Sequence, residues 1–268
     1  MREQGHAKVT DRKLGKWLFR VVAVVVLWWA ASGSEVSLSA FADGVPQAAD
    51  FLQRLFPPDF SNWKVYYRAA RETLQMAIVG TSLAAAFAFP VSFVAARNVT
   101  PSLWVYQIVR LWFDVCRGIP EIVWGLLFVV IVGLGPFAGV LALAVHEFGA
   151  LGRYFSETVE NVSPITIEAA ESSGAKPVQI VARVIFPEIK PYFVGYIFYY
   201  FEHSIRSATV LGLVGAGGLG LILETRIKLF QYHEVAALLI IILIMVSASD
   251  RLSSIVRRRI LGERYFES

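Results

Sequence analysis

Twenty-three consecutive residues, Leu74 to Ala96, carry no charge. A helix of that length rises about 1.5 Å per residue and crosses the ~30 Å hydrocarbon core of a bilayer with some tilt. In lipid every backbone N–H and C=O must be bonded internally, which a helix achieves. Gly80, Ala84 and Ala88 repeat at small-xxx-small spacing, so a neighbouring helix can approach closely. Pro90 is expected to kink the span, which a bundle tolerates. The rest of the chain must be compatible with that solvent. Charged residues make up 17% of it and hydrophobic residues 56%, against about 25% charge in a soluble domain.

Five further spans are expected. Trp17 to Ser32 is a short apolar run after six Lys/Arg in the first 20 residues. A signal peptide would look similar. However, Ala30-Ala31-Ser32 is a poor cleavage site and Trp28-Trp29 suits an interfacial anchor, so we read an uncleaved first span. Residues 35–72 are polar and amphipathic, and a loop with a short surface helix is expected there. Trp104 to Leu134 is too long and interrupted for one plain span. Asp114, Arg117, Gly118 and Pro120 predict an entering helix, a bend, then the span proper. Gly133 to Pro136 reads as a tight turn, and Phe137 to Phe155 returns. Pro191 to Leu213 and Val235 to Ser249 complete the set. The expected division is 1–16 cytoplasmic and basic, 17–34 first span, 35–72 extracytoplasmic, 73–258 the core of five spans, and 259–268 a cytoplasmic tail.

Between the fourth and fifth spans lies a polar segment, about 156–190. Ser163-Pro164 is a helix start, Gly174 suits the residue just past a helix end, Pro177 can open a second helix and Pro187 end it. Two short helices joined at a glycine are predicted. Six spans put both basic termini on one side, together with this segment, and short Lys/Arg-rich segments stay cytoplasmic. The net charge of +4 is therefore an orientation signal rather than a nucleic-acid footprint.

Several chemistries find no support. One cysteine, Cys116, permits neither a disulfide framework nor a thiolate metal site. No Walker A sequence occurs, so ATP, if used, is hydrolysed by another chain. No cofactor is expected. Gly215 to Gly220 matches G-x-G-x-x-G after a strand-like Thr209 to Val214, with Glu234 downstream. No βαβ pattern surrounds it, which excludes dinucleotide binding. Close backbone packing near the outer mouth of a pathway fits Gly215, Gly217 and Gly218 better, with plain helix packing as the alternative. Glu202 and Arg206 are spaced i, i+4 and can pair. With His146 and Glu147 they are candidates for lining a polar solute pathway, since charges at membrane depth face a bundle interior or water. The plainer alternative is a structural pair or a hydrogen-bonded core histidine. Asp114 and Arg117 read as an interfacial pair.

Glu168-Ala169-Ala170, then Gly174, then Val184-Ile185-Phe186-Pro187 resembles the EAA loop of bacterial ATP-binding-cassette (ABC) importer permeases. Val184 and Phe186 stand where that pattern favours Ile and Leu. Phe56 to Ser61, Val132 to Leu143 and Arg206 to Gly218 look like the phosphonate permease (PhnE) family, to which phosphite and hypophosphite permeases are similar. The resemblance implies an all-α integral membrane protein of six transmembrane helices with the type I importer fold, in the bacterial inner membrane. It implies a second copy of the chain, two ABC ATPase subunits, and an extracytoplasmic solute-binding protein. Glu168, Ala169, Ala170, Gly174 and Pro187 would couple the ATPase to the spans. A competing reading is a membrane scaffold whose cytoplasmic loop recruits some other protein.

Overall fold

The structure, a computed structural model, describes residues 4–34 and 38–261. The first three residues, 35–37 and the chain beyond 261 lie outside the described residues, and with them part of the expected basic terminus and most of the 259–268 tail. All regular elements among the described residues are helical. The chain divides into two compact units, Met1–Arg54 and Leu55–Ser268.

The first unit holds α1 (Gln4–Gly33) and most of α2 (Leu38–Leu55). Trp17, Trp28, Trp29 and the valines between them are exposed along α1, as a helix solvated by lipid requires. The second helix, 18 residues long, stands where a loop with a short surface helix was expected, and it carries an Asp50–Arg54 pair at 2.8 Å.

The second unit contains α3 (Trp63–Val94), α4 (Leu103–Gly118), α5 (Glu121–Val132), α6 (Pro136–Glu160), α7 (Pro164–Ser172), α8 (Pro177–Ile180), a π-helical turn (Val181–Ile185), α9 (Phe186–Gly212), α10 (Gly218–Lys228) and α11 (Tyr232–Leu261). The charge-free run is the lower two-thirds of α3. Polar residues extend that helix upward to Trp63, and it continues through Pro90, which a helix packed in a bundle tolerates. Helices α4 and α5 meet at 88°, and this is the predicted break.

Among the described residues three helices, α1, α3 and α11, are long and apolar enough to cross a membrane, or four spans if the bent α4–α5 pair counts as one. The remaining two expected spans correspond to α6 and α9, of 25 and 27 residues. Each dilutes its apolar run with a buried acid, Glu147 or Glu202.

Small residues hold the spans together, because in lipid close packing and interhelical hydrogen bonds replace the hydrophobic drive between helices. The Gly80–Ala84–Ala88 stripe is buried, and a Cβ at Gly80 would lie 2.8 Å from Leu143 Cβ on α6. Towards the other end of the bundle aromatic rings fill the space. Phe155 of α6 and Phe193 of α9 stack at 4.0 Å, and Phe89 of α3 meets Phe193 edge-on.

Candidate functional site

Helix α7 begins as the sequence predicts, with Ser163 at the cap position and Pro164 in the first turn, although the Ser163 hydroxyl makes no capping bond. It ends at Gly174, whose φ of +79° lies in the left-handed region. The Gly174 N–H donates to Glu171 O at 2.8 Å and the Ala175 N–H to Ala170 O at 3.2 Å. That pair of bonds is the Schellman closure, which uses glycine because it carries no Cβ penalty there. Helix α8 then opens at Pro177, with the Lys176 N–H held by Gln179 Oε1 at 2.9 Å. The two helices form an elbow.

One side of the elbow is anchored. Ile180, Ile185 and Ile189 are buried, and Ile167, Ala170, Ala175 and Val184 pack against the same cluster. The other side is bare. Glu168 and Ala169 are exposed, and Ile165 and Val178 are 78% and 79% exposed. Apolar side chains left uncovered on a polar loop are what a partner's groove takes up.

At Pro187 the structure departs from the sequence reading. The second helix does not stop there; it runs through the π turn into α9. The Phe186 N–H reaches back five residues to Val181 O. Pro187, which has no N–H to donate, enters α9 within its first turn. Widening the preceding turn lets the chain pass a proline without ending the helix.

Above the elbow, α3, α5, α6 and α9 are joined by polar bonds. Glu147 of α6 is fully buried. Ser204 of α9 donates to its Oε1, and Thr81 of α3 lies 2.6 Å from the same Ser204 hydroxyl. His146, one residue earlier, donates from Nδ1 to Ile119 O at 3.0 Å. Its Nε2 stands 3.7 Å from Glu121 Oε2, and Ser207 of α9 donates to Glu121 Oε1 at 2.7 Å. Glu202, also buried, pairs with Arg206 at 2.6 Å and with Arg257 of α11 at 3.7 Å. Arg206 itself is 52% exposed, and its guanidinium has donors to spare. Thus His146 and Glu147 point into different bonds, and Glu202 and Arg206 form the predicted i, i+4 pair. Asp114 and Arg117 also pair, at 2.9 Å.

The glycine-rich segment is tightly packed. Gly215, Gly217 and Gly218 are buried. The Gly218 N–H donates to Glu72 Oε1 at 3.1 Å and the Leu219 N–H to Thr73 Oγ1 at 2.9 Å. A Cβ on Gly220 would collide with Thr209 O. The strand-like Thr209 to Gly212 is the last turn of α9. The Gly218 and Leu219 amides, which could cradle an anion, are occupied by the chain's own α3, and those of Gly215 and Ala216 bond back to Gly212 O and Leu211 O of α9. Above this turn, Tyr66 donates to Glu234 at 2.6 Å and Arg226 pairs with Glu234 at 3.1 Å, tying α3, α10 and α11. Nearby, the Ser61 hydroxyl and amide beside Asp59 hold its carboxyl below the usual carboxylate range.

Sequence reasoning missed Thr81, Glu121, Ser204, Ser207 and Arg257. Hydroxyls at 81, 204 and 207 inside apolar helices were an available signal, because such groups bond across helices.

The model of the family described as "Binding-protein-dependent transport system inner membrane component" matches residues 88–262. The chain is 37% identical over 237 residues to the phosphite transport system permease protein PtxC of Stutzerimonas stutzeri, covering 88% of this chain and 85% of that one. It is 35% identical over 209 residues to the phosphate-import permease protein PhnE of Mycolicibacterium smegmatis, covering 78% of this chain and 39% of that one. Among solved structures, the MetNI methionine ABC transporter in inward facing conformations is similar at TM-score 0.61 and 26% identity, over 74% of this chain and 99% of that chain.

Proposed function

The chain belongs to the binding-protein-dependent transport system inner membrane components, as the permease subunit of an ABC importer, and we propose from that premise that its cargo is a phosphonate or a related phosphorus oxyanion such as phosphite. The cargo assignment draws on the likeness to permeases named for phosphite and phosphate import. Two copies of the chain would enclose the pathway, with an outer protein delivering the solute and two ATPase subunits on the cytoplasmic side. Both termini would lie on that cytoplasmic side.

One observation carries the mechanical reading: the elbow of α7 and α8 is anchored on one face and bare on the other. A partner ATPase that grips Glu168, Ala169, Ile165 and Val178 would move the elbow as a unit. The buried face would pass that movement to α9, with which α8 is continuous through the π turn and Pro187. Helix α9 carries Glu202 and Arg206, so closure of the ATPases would displace the candidate anion contact. Arg206 would meet the oxyanion with charge-assisted hydrogen bonds, while His146 and the Glu147–Ser204 bond brace the wall. Gly215, Gly217 and Gly218 would let α10 sit close at the outer mouth.

Uptake by a strain lacking other phosphorus importers tests both parts. Growth on a phosphonate or phosphite should require this chain, and Arg206→Ala should reduce uptake while ATPase stimulation persists. Growth conferred equally on an unrelated nutrient class would overturn the phosphorus assignment. Val178→Asp should release the ATPase on purification, and a complex that survives it would sink the grip at the elbow.

A further inference from the structure

The outer end of α3 carries three cations with no assigned role. Lys64, Arg68 and Arg71 fall at i, i+4 and i+7, within an arc of about 60° on the helix. All three are exposed, and no carboxylate among the described residues pairs with any of them. Glu72, one turn below Arg68, is committed to the Gly218 N–H. A crevice of about 500 Å³ opens beside this face. Lys64, Arg68 and Glu72 rim it, and Val65, Ala69, Leu221 and Ile222 supply apolar wall. Its rim therefore carries one net positive charge, and Arg71 adds another alongside.

Depth fixes what such a crevice can meet. The charge-free run begins at Leu74, and Lys64 and Arg68 lie ten and six residues above it, or roughly 15 and 9 Å along the axis. That is the outer edge of the headgroup layer and just beyond it, from which long cationic side chains can reach back to a lipid phosphate. Trp63 and Tyr67 are exposed at the same level, where amphipathic rings settle at a membrane interface. We propose that this crevice holds the headgroup of an anionic phospholipid of the outer leaflet, its phosphate between Lys64 and Arg68 and its glycerol end against Val65, Leu221 and Ile222. The shared chemistry is a phosphate monoanion, and a free phosphorus oxyanion could offer the same group. The apolar wall favours the lipid, because a free oxyanion gains nothing from it. Long cationic side chains would lay their stems along that wall and keep their heads at the phosphate.

The full-length chain, purified in non-ionic detergent with the subunits that accompany it, is titrated with phosphatidylglycerol, phosphatidylcholine or inorganic phosphate. Bound lipid is counted by native mass spectrometry. Phosphatidylglycerol should be retained over phosphatidylcholine. The double variant Lys64→Gln/Arg68→Gln should weaken phosphatidylglycerol retention roughly thirtyfold, at about fivefold per cation near a surface, without altering phosphatidylcholine. Leu221→Glu, which leaves both cations in place, should do the same by putting a negative charge in the mouth. Inorganic phosphate should leave lipid occupancy unchanged. Phosphatidylglycerol retained undiminished by either variant would overturn the site, and displacement by inorganic phosphate would reassign it to a free anion.

Discussion

Gly174 and Gly220 solve opposite problems. At Gly174 a Cβ would meet nothing within 4 Å, yet φ is +79°. The residue is chosen for a backbone angle in open space. At Gly220 the backbone is ordinary helix, yet a Cβ would strike Thr209 O and come within 2.8 Å of Gly212 Cα. There the residue is chosen for the absence of volume. The contrast separates a joint, which must turn, from a seam, which must not open. It also assigns different consequences to the same substitution, because strain in an exposed elbow stays local while a clash between buried backbones spreads.

The harshest break of that comparison is Gly174→Pro. Proline locks φ near −65° and removes the N–H that bonds Glu171 O. Uptake should be lost while the melting midpoint of the purified chain barely moves; a large fall in that midpoint would mean the elbow is part of the folding core. Next, Gly220→Ala should destabilise the chain by roughly 3 kcal/mol, read as a lower midpoint and poor recovery of folded protein. Near-native stability there would show that α9 and α10 can separate freely. Gly174→Ala should cost about 1 kcal/mol, since only the left-handed conformation is penalised. Transport should then fall modestly, and a loss as complete as with proline would point to a hidden steric role. Gly174→Asn should cost still less, because asparagine visits this region more readily. If alanine and asparagine behave alike, backbone angle is not what the position selects.

Much of this was legible in the sequence because it is local. Ser163-Pro164, Gly174 and Pro177 announce the elbow through capping and turn chemistry, and Asp114 to Pro120 announces the α4–α5 bend. Glu202 and Arg206 pair by spacing alone. The type I importer fold expected from the EAA pattern stands as well. What escaped depends on which helix lies beside which. Ser204 meets Glu147 across 57 positions and Arg257 reaches Glu202 across 55, and periodicity identifies a face without naming its neighbour. Pro187 escaped for another reason: a π turn is decided by how a helix is held at both ends. Likewise α2 and the upward extension of α3 are longer than the loop with a short surface helix expected there, because polar residues can continue a helix that apolar packing has already nucleated.

The π turn between Val181 and Ile185 sets an angular phase. Each residue of an α-helix advances its direction by about 100°, and a π turn accommodates one residue more than the α pattern would. Everything beyond it is therefore rotated relative to the elbow by that amount. The elbow's bare face and the direction of Arg206 are linked by residue count as much as by residue type. Removing one residue within this turn would leave both the gripping surface and the charged pair chemically intact, but aimed at different places.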